Sequence, residues 1–320
     1  MVKRRLLILS RVVLAVSLLY LLFHRVELSK IILTLKEMNL SYLSLAFLIA
    51  VLPQPFFSII RWKLLLATNR IAVPFGRLSK YHFISIFAQS FLPTSIGGDP
   101  VKALYAFREG SKAKVINSIL LARASGLFSL AVLVLIALFF AEKNKQLYTI
   151  GFYVLILLSL MILVLLVVFK KSYYQRLKAF SPIGRLLSRT RMSNLIDNLA
   201  VYKDYRVISL ALLYSFLIQA AMIIKDYYIF KSLSLNVSLG LFFIYIPIIY
   251  FATLLPISIN GIGIREGLLL YFFKDFINSK SDILSVAIIL YFFMLVVASI
   301  GGMAFLWDSL KGKRIKGETG

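Results

Sequence analysis

The sequence predicts an all-α polytopic membrane protein with about six full transmembrane helices and two broken or re-entrant helical hairpins. Of its 320 residues, 60% are hydrophobic, and the mean hydropathy is +0.89. Uncharged runs long enough to cross the hydrocarbon core recur along the chain. The longest are Met38–Ile60, Ala124–Ala141, Gln146–Phe169, Ser232–Ile264 and Ile283–Trp307. A soluble fold of this length has too little interior to bury so many apolar segments.

The distribution of Lys and Arg assigns each connection to one side of the membrane. Bases are frequent before the first apolar run, in the segment 170–206 and in the tail 308–320, and they are scarce in alternate connections. Cytoplasmic loops collect Lys and Arg, so both termini, the basic loop 170–206 and the basic tail are predicted to be cytoplasmic. Full spans are expected at 6–23, 41–60, 115–140, 147–169, 207–230 and 283–307.

Charge and composition also exclude several classes of function. The net charge of +24 is explained by loops that face anionic lipid, and no basic and aromatic interleaving typical of nucleic-acid binding occurs. The loop 170–206 is interpreted either as an amphipathic helix on headgroups or as a solvated linker. The chain has no cysteine, and its two histidines, His24 and His82, are far apart. We therefore expect no metal site and no cofactor.

A seven-residue motif occurs twice in apolar surroundings, 163 residues apart. It reads Leu-Pro-Thr-Ser-Ile-Gly-Gly over 92–98 and Leu-Pro-Ile-Ser-Ile-Asn-Gly over 255–261, and a base follows each copy four residues later. Pro and Gly inside a membrane-length segment break a helix, and the freed backbone groups must then face protein, water or substrate. Two breaks in matching halves are typical of the substrate site of a transporter.

The loop charges make both broken segments enter and leave on one face of the membrane. The segment 81–114 begins and ends among cytoplasmic bases, and 237–273 lies between two outer connections. Each is either a re-entrant hairpin or a pair of short crossings. The single transmembrane domain 1–320 is then an inverted repeat, with half one at 1–141 and half two at 146–310. The alternative is that the two halves resemble each other by chance, because the chain is rich in Ile and Leu.

The half-helices that follow the two breaks predict a headgroup site. A helix beginning after Gly98 or Gly263 presents unpaired N–H groups that favour a phosphate, and a base one turn later adds a charged contact. The alternative is that Lys102–Asp99 and Arg265–Glu266 ion pairs only lock the hairpins. Arg123, inside a span, faces a cavity or extends to the interface. The candidate substrate-binding residues are Ser95, Gly97, Gly98, Asp99, Lys102, Arg123, Asn260, Gly261, Gly263, Arg265 and Glu266.

Three motifs carry a resemblance to a known family. Arg61-Trp62-Lys63, Gly97-Gly98-Asp99 and Gly263-Ile264-Arg265-Glu266 resemble the lysylphosphatidylglycerol synthase transmembrane family, also called flippase-like. That family includes the membrane half of the multiple peptide resistance factor, and the aminoacyltransferase domain of the fused members is not expected here. One departure is Ala122 before Arg123, where the family usually has an acidic residue. Trp62, like many Tyr residues, is expected in an interfacial belt.

The resemblance implies lipid translocation. We expect a flippase of the cytoplasmic membrane that moves an anionic or lipid-linked headgroup by alternating access and is not an enzyme; a separate lipid-modifying enzyme as partner and oligomerisation stay open. One alternative is a membrane enzyme or accessory subunit in lipid-linked sugar or aminoacyl-lipid metabolism, for which Asp99 and Glu109 are the candidate acid/base pair. Another is a structural partner that docks through the basic loop 170–206.

Overall fold

The structure is a computed structural model that describes residues 28–91, 97–141, 145–169, 204–254 and 261–317. Every regular element in these residues is an α-helix. The predicted span 6–23 and most of the basic loop 170–206 lie outside the described residues. Of the basic tail, residues 308–317 continue the last helix.

Eleven helices make up the described part of the chain. They are α1 (Leu28–Lys36), α2 (Leu40–Val51), α3 (Pro53–Thr68), α4 (Phe75–Phe91), α5 (Gly98–Ala106), α6 (Lys112–Phe140), α7 (Lys145–Phe169), α8 (Tyr205–Ser232), α9 (Leu239–Leu254), α10 (Ile264–Phe273) and α11 (Lys280–Gly317).

Four stretches of these helices are long and apolar enough to cross a membrane. They are Leu40–Thr68, Lys112–Phe140, Tyr205–Ser232 and Lys280–Asp308, and they correspond to four of the predicted full spans. The predicted span 147–169 lies in α7, whose described apolar part, Leu147–Leu163, is shorter. The all-helical membrane architecture is therefore confirmed, while the number of crossings stays a prediction.

The stretch Leu40–Thr68 consists of two helices that meet at a proline. Asn39 caps α2, since its side-chain oxygen accepts hydrogen bonds from the N–H groups of Ser41 and Tyr42 at 3.0 and 3.4 Å. The chain turns at Leu52, and Pro53 opens α3. A proline is tolerated at a first helical position because its missing N–H would have no partner there.

One helix ends before each copy of the seven-residue motif, and another begins at or after its last residue; most residues of the motif lie outside the described part of the chain. In the first broken pair, α4 ends at Phe91 and α5 begins at Gly98. In the second, α9 ends at Leu254 and α10 begins at Ile264. The four helices have 17, 9, 16 and 10 residues. At about 1.5 Å per residue, each is shorter than the hydrocarbon core of about 30 Å. The described part of each of these helices is therefore too short to cross the core alone.

The chain groups into two compact units. Unit 1 is Met1–Pro55, Ser79–Lys102 and Ala221–Gly320, and unit 2 is Phe56–Leu78 and Ala103–Ala220. Both copies of the motif belong to unit 1. The predicted division into halves at 141 and 146 is not tested by this grouping and stays a prediction.

Helix α11 is the centre of the described part of unit 1. It packs against α1, α2 and α10. Two of its glycines admit α4: a Cβ on Gly301 would overlap the backbone oxygen of Phe83, and one on Gly302 would lie 3.0 Å from the Phe87 ring. The two helices are in backbone contact at this point, which a larger residue at either glycine would prevent.

In unit 2, a buried tryptophan joins α3 to α6. Trp62 of α3 and Ser118 of α6 are both fully buried, and the indole Nε1–H donates to the Ser118 hydroxyl at 3.0 Å. The expectation that Trp62 lies in an interfacial belt is therefore wrong. A buried indole needs an acceptor for its N–H, and Ser118 supplies one that is far away in the sequence.

Candidate functional site

The second broken pair turns through two glycines that have left-handed backbone conformations. Gly261 has φ +79° and Gly263 has φ +83°. A Cβ on Gly261 would also lie 2.7 Å from the Cγ2 atom of Thr253, near the end of α9. The chain therefore folds back against the helix it has just left, and only glycine combines this conformation with this approach.

Glu266 closes the start of α10. It is fully buried, and its Oε2 atom accepts a hydrogen bond from the backbone N–H of Gly263 at 2.5 Å. Its Oε1 atom accepts a second hydrogen bond from the hydroxyl of Tyr291 on α11. The carboxylate therefore satisfies a free N–H at the helix start and ties α10 to α11.

Arg265 makes different contacts from its neighbour. Its guanidinium carbon lies 5.5 Å from the ring centroid of Tyr291, at cation–π distance. Its Nε atom is buried and has no hydrogen-bond partner among the described residues. Within the same residues no ion pair joins Arg265 to Glu266, so the alternative in which this pair locks the turn is not observed.

In the first broken pair, the second helix, α5, begins in close contact with α4. A Cβ on Gly98 would overlap the backbone oxygen of Ser85 and lie 3.2 Å from the Cβ of Gln89. The start of α5 therefore lies directly on α4. Gly97 is also buried, Asp99 is half-buried, and Lys102 retains 8% exposure.

Helix α11 contacts both broken pairs. Tyr291 contacts α10, whereas Gly301 and Gly302 contact α4. Tyr291 and Gly301 are ten residues apart, which corresponds to about 15 Å along a helix. The two breaks thus share one supporting helix, and the candidates Gly97, Gly98, Asp99, Lys102, Gly261, Gly263, Arg265 and Glu266 all belong to unit 1.

The remaining candidates are not part of this arrangement. Ser95 and Asn260 lie outside the described residues. Arg123 is half-buried in α6 and belongs to unit 2. Its predicted contact with a headgroup stays a prediction.

Two tyrosines of the site were missed in the sequence analysis. Tyr291 holds Glu266 and stacks on Arg265, and Tyr250 donates its hydroxyl proton to Asp226 Oδ2 at 2.5 Å. Both hydroxyls are close enough to Arg265 to interact with it electrostatically. The available signal was a hydroxyl inside an otherwise apolar run, which requires a partner when buried.

An ion pair completes the polar surroundings of Tyr250. Lys225 Nζ lies 2.8 Å from Asp226 Oδ1, and Asp226 is almost fully buried. The charge of Asp226 is therefore paired with that of Lys225.

This arrangement has the chemistry of an anion site. A guanidinium offers a planar set of donors that matches phosphate or carboxylate oxygens, and the tyrosine ring holds it in place. The start of α10 adds the favourable end of a helix dipole. Among the described residues no group of His, Cys, Asp and Glu could hold a metal ion.

The helices and this site define a helical membrane protein with a basic site at a helix break. The sequence model of the lysylphosphatidylglycerol synthase transmembrane region matches residues 8–302. The chain therefore belongs to that family and is a multi-pass membrane protein of lipid metabolism or transport. No curated protein matches the chain.

Proposed function

We propose that this protein transports a lipid with an anionic or lipid-linked headgroup across the cytoplasmic membrane, and that Arg265 binds the headgroup. One observation carries the proposal. Arg265 lies at a helix break in a membrane segment, on the ring of Tyr291, and its described surroundings contain no carboxylate that is paired with it. An arginine in a membrane segment is costly and is functional by default.

The neighbouring acid strengthens this assignment. Both oxygens of Glu266 accept hydrogen bonds, one from Gly263 N–H and one from Tyr291. We therefore assign a structural role at the turn to Glu266 and the contact with an anion to Arg265. A phosphate that accepts hydrogen bonds from Arg265 would supply the electrostatic stabilisation that an ion pair with Glu266 would otherwise provide.

The contacts of α11 support alternating access through two inverted hairpins. The second broken pair contacts α11 near Tyr291, in its first half, and the first broken pair contacts it near Gly301. Beyond Gly301, Asp308 forms an ion pair with Lys80 at the start of α4. This order fits one hairpin entering from each face, with Lys80 and Asp308 on the cytoplasmic side.

The protein in liposomes tests the proposal directly. Fluorescent anionic lipid in the outer leaflet is bleached by a membrane-impermeant reductant, so movement between leaflets appears as a change in the protected fraction. We expect wild-type protein to accelerate movement and Arg265→Gln to reduce the rate by about tenfold or more, because a charge-assisted contact is lost.

A matched control lies at the other end of the same helix. Lys274 follows α10, is exposed, and lies 5.5 Å from the ring centroid of Tyr271. Lys274→Gln removes the same charge from a similar cation–π contact and is expected to transport at the wild-type rate. Equal rates for Arg265→Gln and wild type, or no acceleration over protein-free liposomes, would refute the proposal.

The enzyme alternative receives less support. Glu109, the proposed acid/base partner of Asp99, accepts two hydrogen bonds from Arg77 Nη1, at 3.0 and 2.9 Å. Arg77 therefore contacts both oxygens of the carboxylate that the enzyme alternative needs for acid/base chemistry. Turnover of a labelled lipid by the purified chain would favour the enzyme instead.

A further inference from the structure

The polar surroundings of Tyr250 contain a buried acid that neither the turn nor the anion contact uses. Asp226 of α8 is only 1% exposed, and it lies six residues, or about 9 Å, before the end of α8 at Ser232. It belongs to the stretch Tyr205–Ser232, which is long and apolar enough to cross a membrane. An ionisable residue in such a stretch is costly, and a function is the default explanation for it.

The two oxygens of the Asp226 carboxylate have different surroundings. Oδ2 accepts a hydrogen bond from the hydroxyl of Tyr250 on α9 at 2.5 Å. Oδ1 lies 2.8 Å from Lys225 Nζ, but it accepts no hydrogen bond from any described residue. Within the described part of the chain, Lys225 and Tyr250 are the titratable groups that contact Asp226. Oδ1 is therefore a buried position at which a proton can add without competing with a hydrogen bond.

Glu266, the other buried acid near Arg265, has no such position. The backbone N–H of Gly263 donates to one of its oxygens, and the hydroxyl of Tyr291 donates to the other. A proton on Glu266 would compete with one of these hydrogen bonds and weaken the cap of α10. Of the two acids, Asp226 is therefore the one with an oxygen free for a proton.

Asp226 and Arg265 are coupled through one tyrosine. Tyr250 donates its hydroxyl to Asp226, and the same hydroxyl interacts electrostatically with Arg265 on α10. All three residues belong to unit 1. In an interior of low dielectric constant, a charge that arrives at Arg265 changes the electrostatic energy at Asp226. Binding at one of these two positions therefore affects binding at the other.

The formal charges of these side chains cancel while no headgroup is bound. Two bases, Lys225 and Arg265, accompany two acids, Asp226 and Glu266. A headgroup with a single negative charge would leave an excess negative charge in the membrane, which is unfavourable. A proton on Asp226 removes this excess. Lys225, whose side chain keeps 12% exposure, can then extend towards water.

We propose that Asp226 takes up a proton with each anionic headgroup that Arg265 binds, and that the two cross the membrane together. The proton comes from water on the face where the headgroup enters, adds to Asp226 Oδ1, and returns to water on the face where the headgroup leaves. This cycle moves no net charge. The inference rests on the proposed function and supplies its driving force, which is the difference in pH between the two faces.

The distribution of an anionic lipid between the leaflets of liposomes tests the coupling. A trace of fluorescent phosphatidylglycerol is equilibrated in the presence of the full chain, and a membrane-impermeant reductant then bleaches the outer leaflet. Under a difference of about one pH unit, the lipid should accumulate about tenfold in the leaflet that faces the alkaline side, since each lipid crosses with a proton. Both orientations of the protein move lipid in this sense, so mixed insertion does not cancel the effect.

The response to voltage separates coupled from uncoupled transport. A headgroup that crosses without a proton carries charge, so a membrane potential of about 60 mV would shift its distribution about tenfold. With a proton on Asp226, the distribution should not respond to a potassium diffusion potential. A distribution that follows voltage and ignores pH overturns the coupling and leaves the proposed function intact. Absence of any lipid movement refutes both.

Substitution of the acid identifies the residue that carries the proton. In Asp226→Asn, the accumulation driven by pH should fall to the level of protein-free liposomes, and the lipid should follow the membrane potential instead. Asp282→Asn is the matched control, because Asp282 Oδ1 also accepts a hydrogen bond from a hydroxyl, that of Thr34 at 2.9 Å. This control variant should keep the full response to pH. Equal responses of Asp226→Asn and wild type overturn the assignment.

A measurement on the wild-type protein decides the matter if Asp226→Asn fails to fold or to transport. A pH-sensitive dye is trapped inside the liposomes, and phosphatidylglycerol is added to the outer leaflet. The dye should report acidification of the interior by about one proton for each lipid that enters the inner leaflet. Lipid entry without proton uptake overturns the proposal.

Discussion

The two broken pairs carry nearly the same motif, and the described residues where the second helix of each pair begins differ in structure. In the second, the turn depends on conformation: Gly261 and Gly263 have left-handed backbones, and Glu266 caps the next helix. In the first, Gly98 is itself the first helical residue, and it serves close packing against Ser85. Both copies of the motif therefore lie between two helices, but the contacts that start the second helix differ between the pairs.

The bases that follow the two breaks also differ in their surroundings. Lys102 is almost fully buried in α5, whereas Arg265 is half-buried on a tyrosine ring with an unpartnered Nε atom within the described structure. Arg265 therefore has the geometry of a ligand contact. We infer that the second broken pair recognises the headgroup and that the first supplies a structural counterpart.

The largest effect on folding is expected at the glycines of the two turns. Gly261→Ala combines a left-handed φ with a Cβ only 2.7 Å from Thr253, so we expect a loss of about 2–4 kcal/mol in the free energy of unfolding. Gly267→Ala, on the next helix, meets nothing within 4 Å and should gain up to about 1 kcal/mol. Thermal unfolding in detergent measures both.

Gly98→Ala sharpens the comparison, because its Cβ would meet backbone at Ser85 and no left-handed φ is involved. We expect a cost of about 1–3 kcal/mol from overpacking alone. If Gly98→Ala and Gly267→Ala were equally tolerated, the first turn would not depend on close packing.

The next effect concerns the two acids that follow the breaks. Glu266→Gln weakens the hydrogen bonds to Gly263 N–H and to Tyr291, and we expect it to cost about 1–3 kcal/mol of stability. Asp99→Asn, at a half-buried position, should cost less. The comparison requires the unfolding temperatures of both variants; an Asp99→Asn effect larger than that of Glu266→Gln would contradict the assignment.

A smaller effect is expected from the ring that supports Arg265. Tyr291→Phe keeps the cation–π contact and loses the hydroxyl, so lipid transport should persist in a less stable protein. Tyr291→Leu also removes the ring, and the transport rate should fall by about twofold to tenfold, as a contact of about 0.5–1.4 kcal/mol implies. Equal transport by the two variants would exclude a role for the ring.

The smallest effect is expected at the ion pair between Lys80 and Asp308. Both side chains are partly exposed, so Asp308→Asn should change the free energy of unfolding by only about 0–1 kcal/mol. Because surface pairs are screened, the difference should shrink further in high salt. A larger loss would indicate that this contact holds the first broken pair to α11.

Much of the fold follows from local rules. The apolar runs located four membrane-length helices, and the prolines and glycines located both breaks, since these residues act on their own backbone. Trp62 shows where such reasoning fails: its interfacial placement was an average expectation, whereas its buried N–H finds an acceptor in Ser118, which is 56 residues away.

Local sequence features were enough to predict two helix breaks, each followed by a base. The groups that these bases and acids contact became visible only in the folded chain. Arg265 and Glu266 are adjacent in sequence, yet adjacent residues on a helix point in different directions, so the acid turns to Gly263 and Tyr291 and the base stays available. Partners such as Tyr291 lie on other helices, and no local sequence pattern predicts how those helices pack.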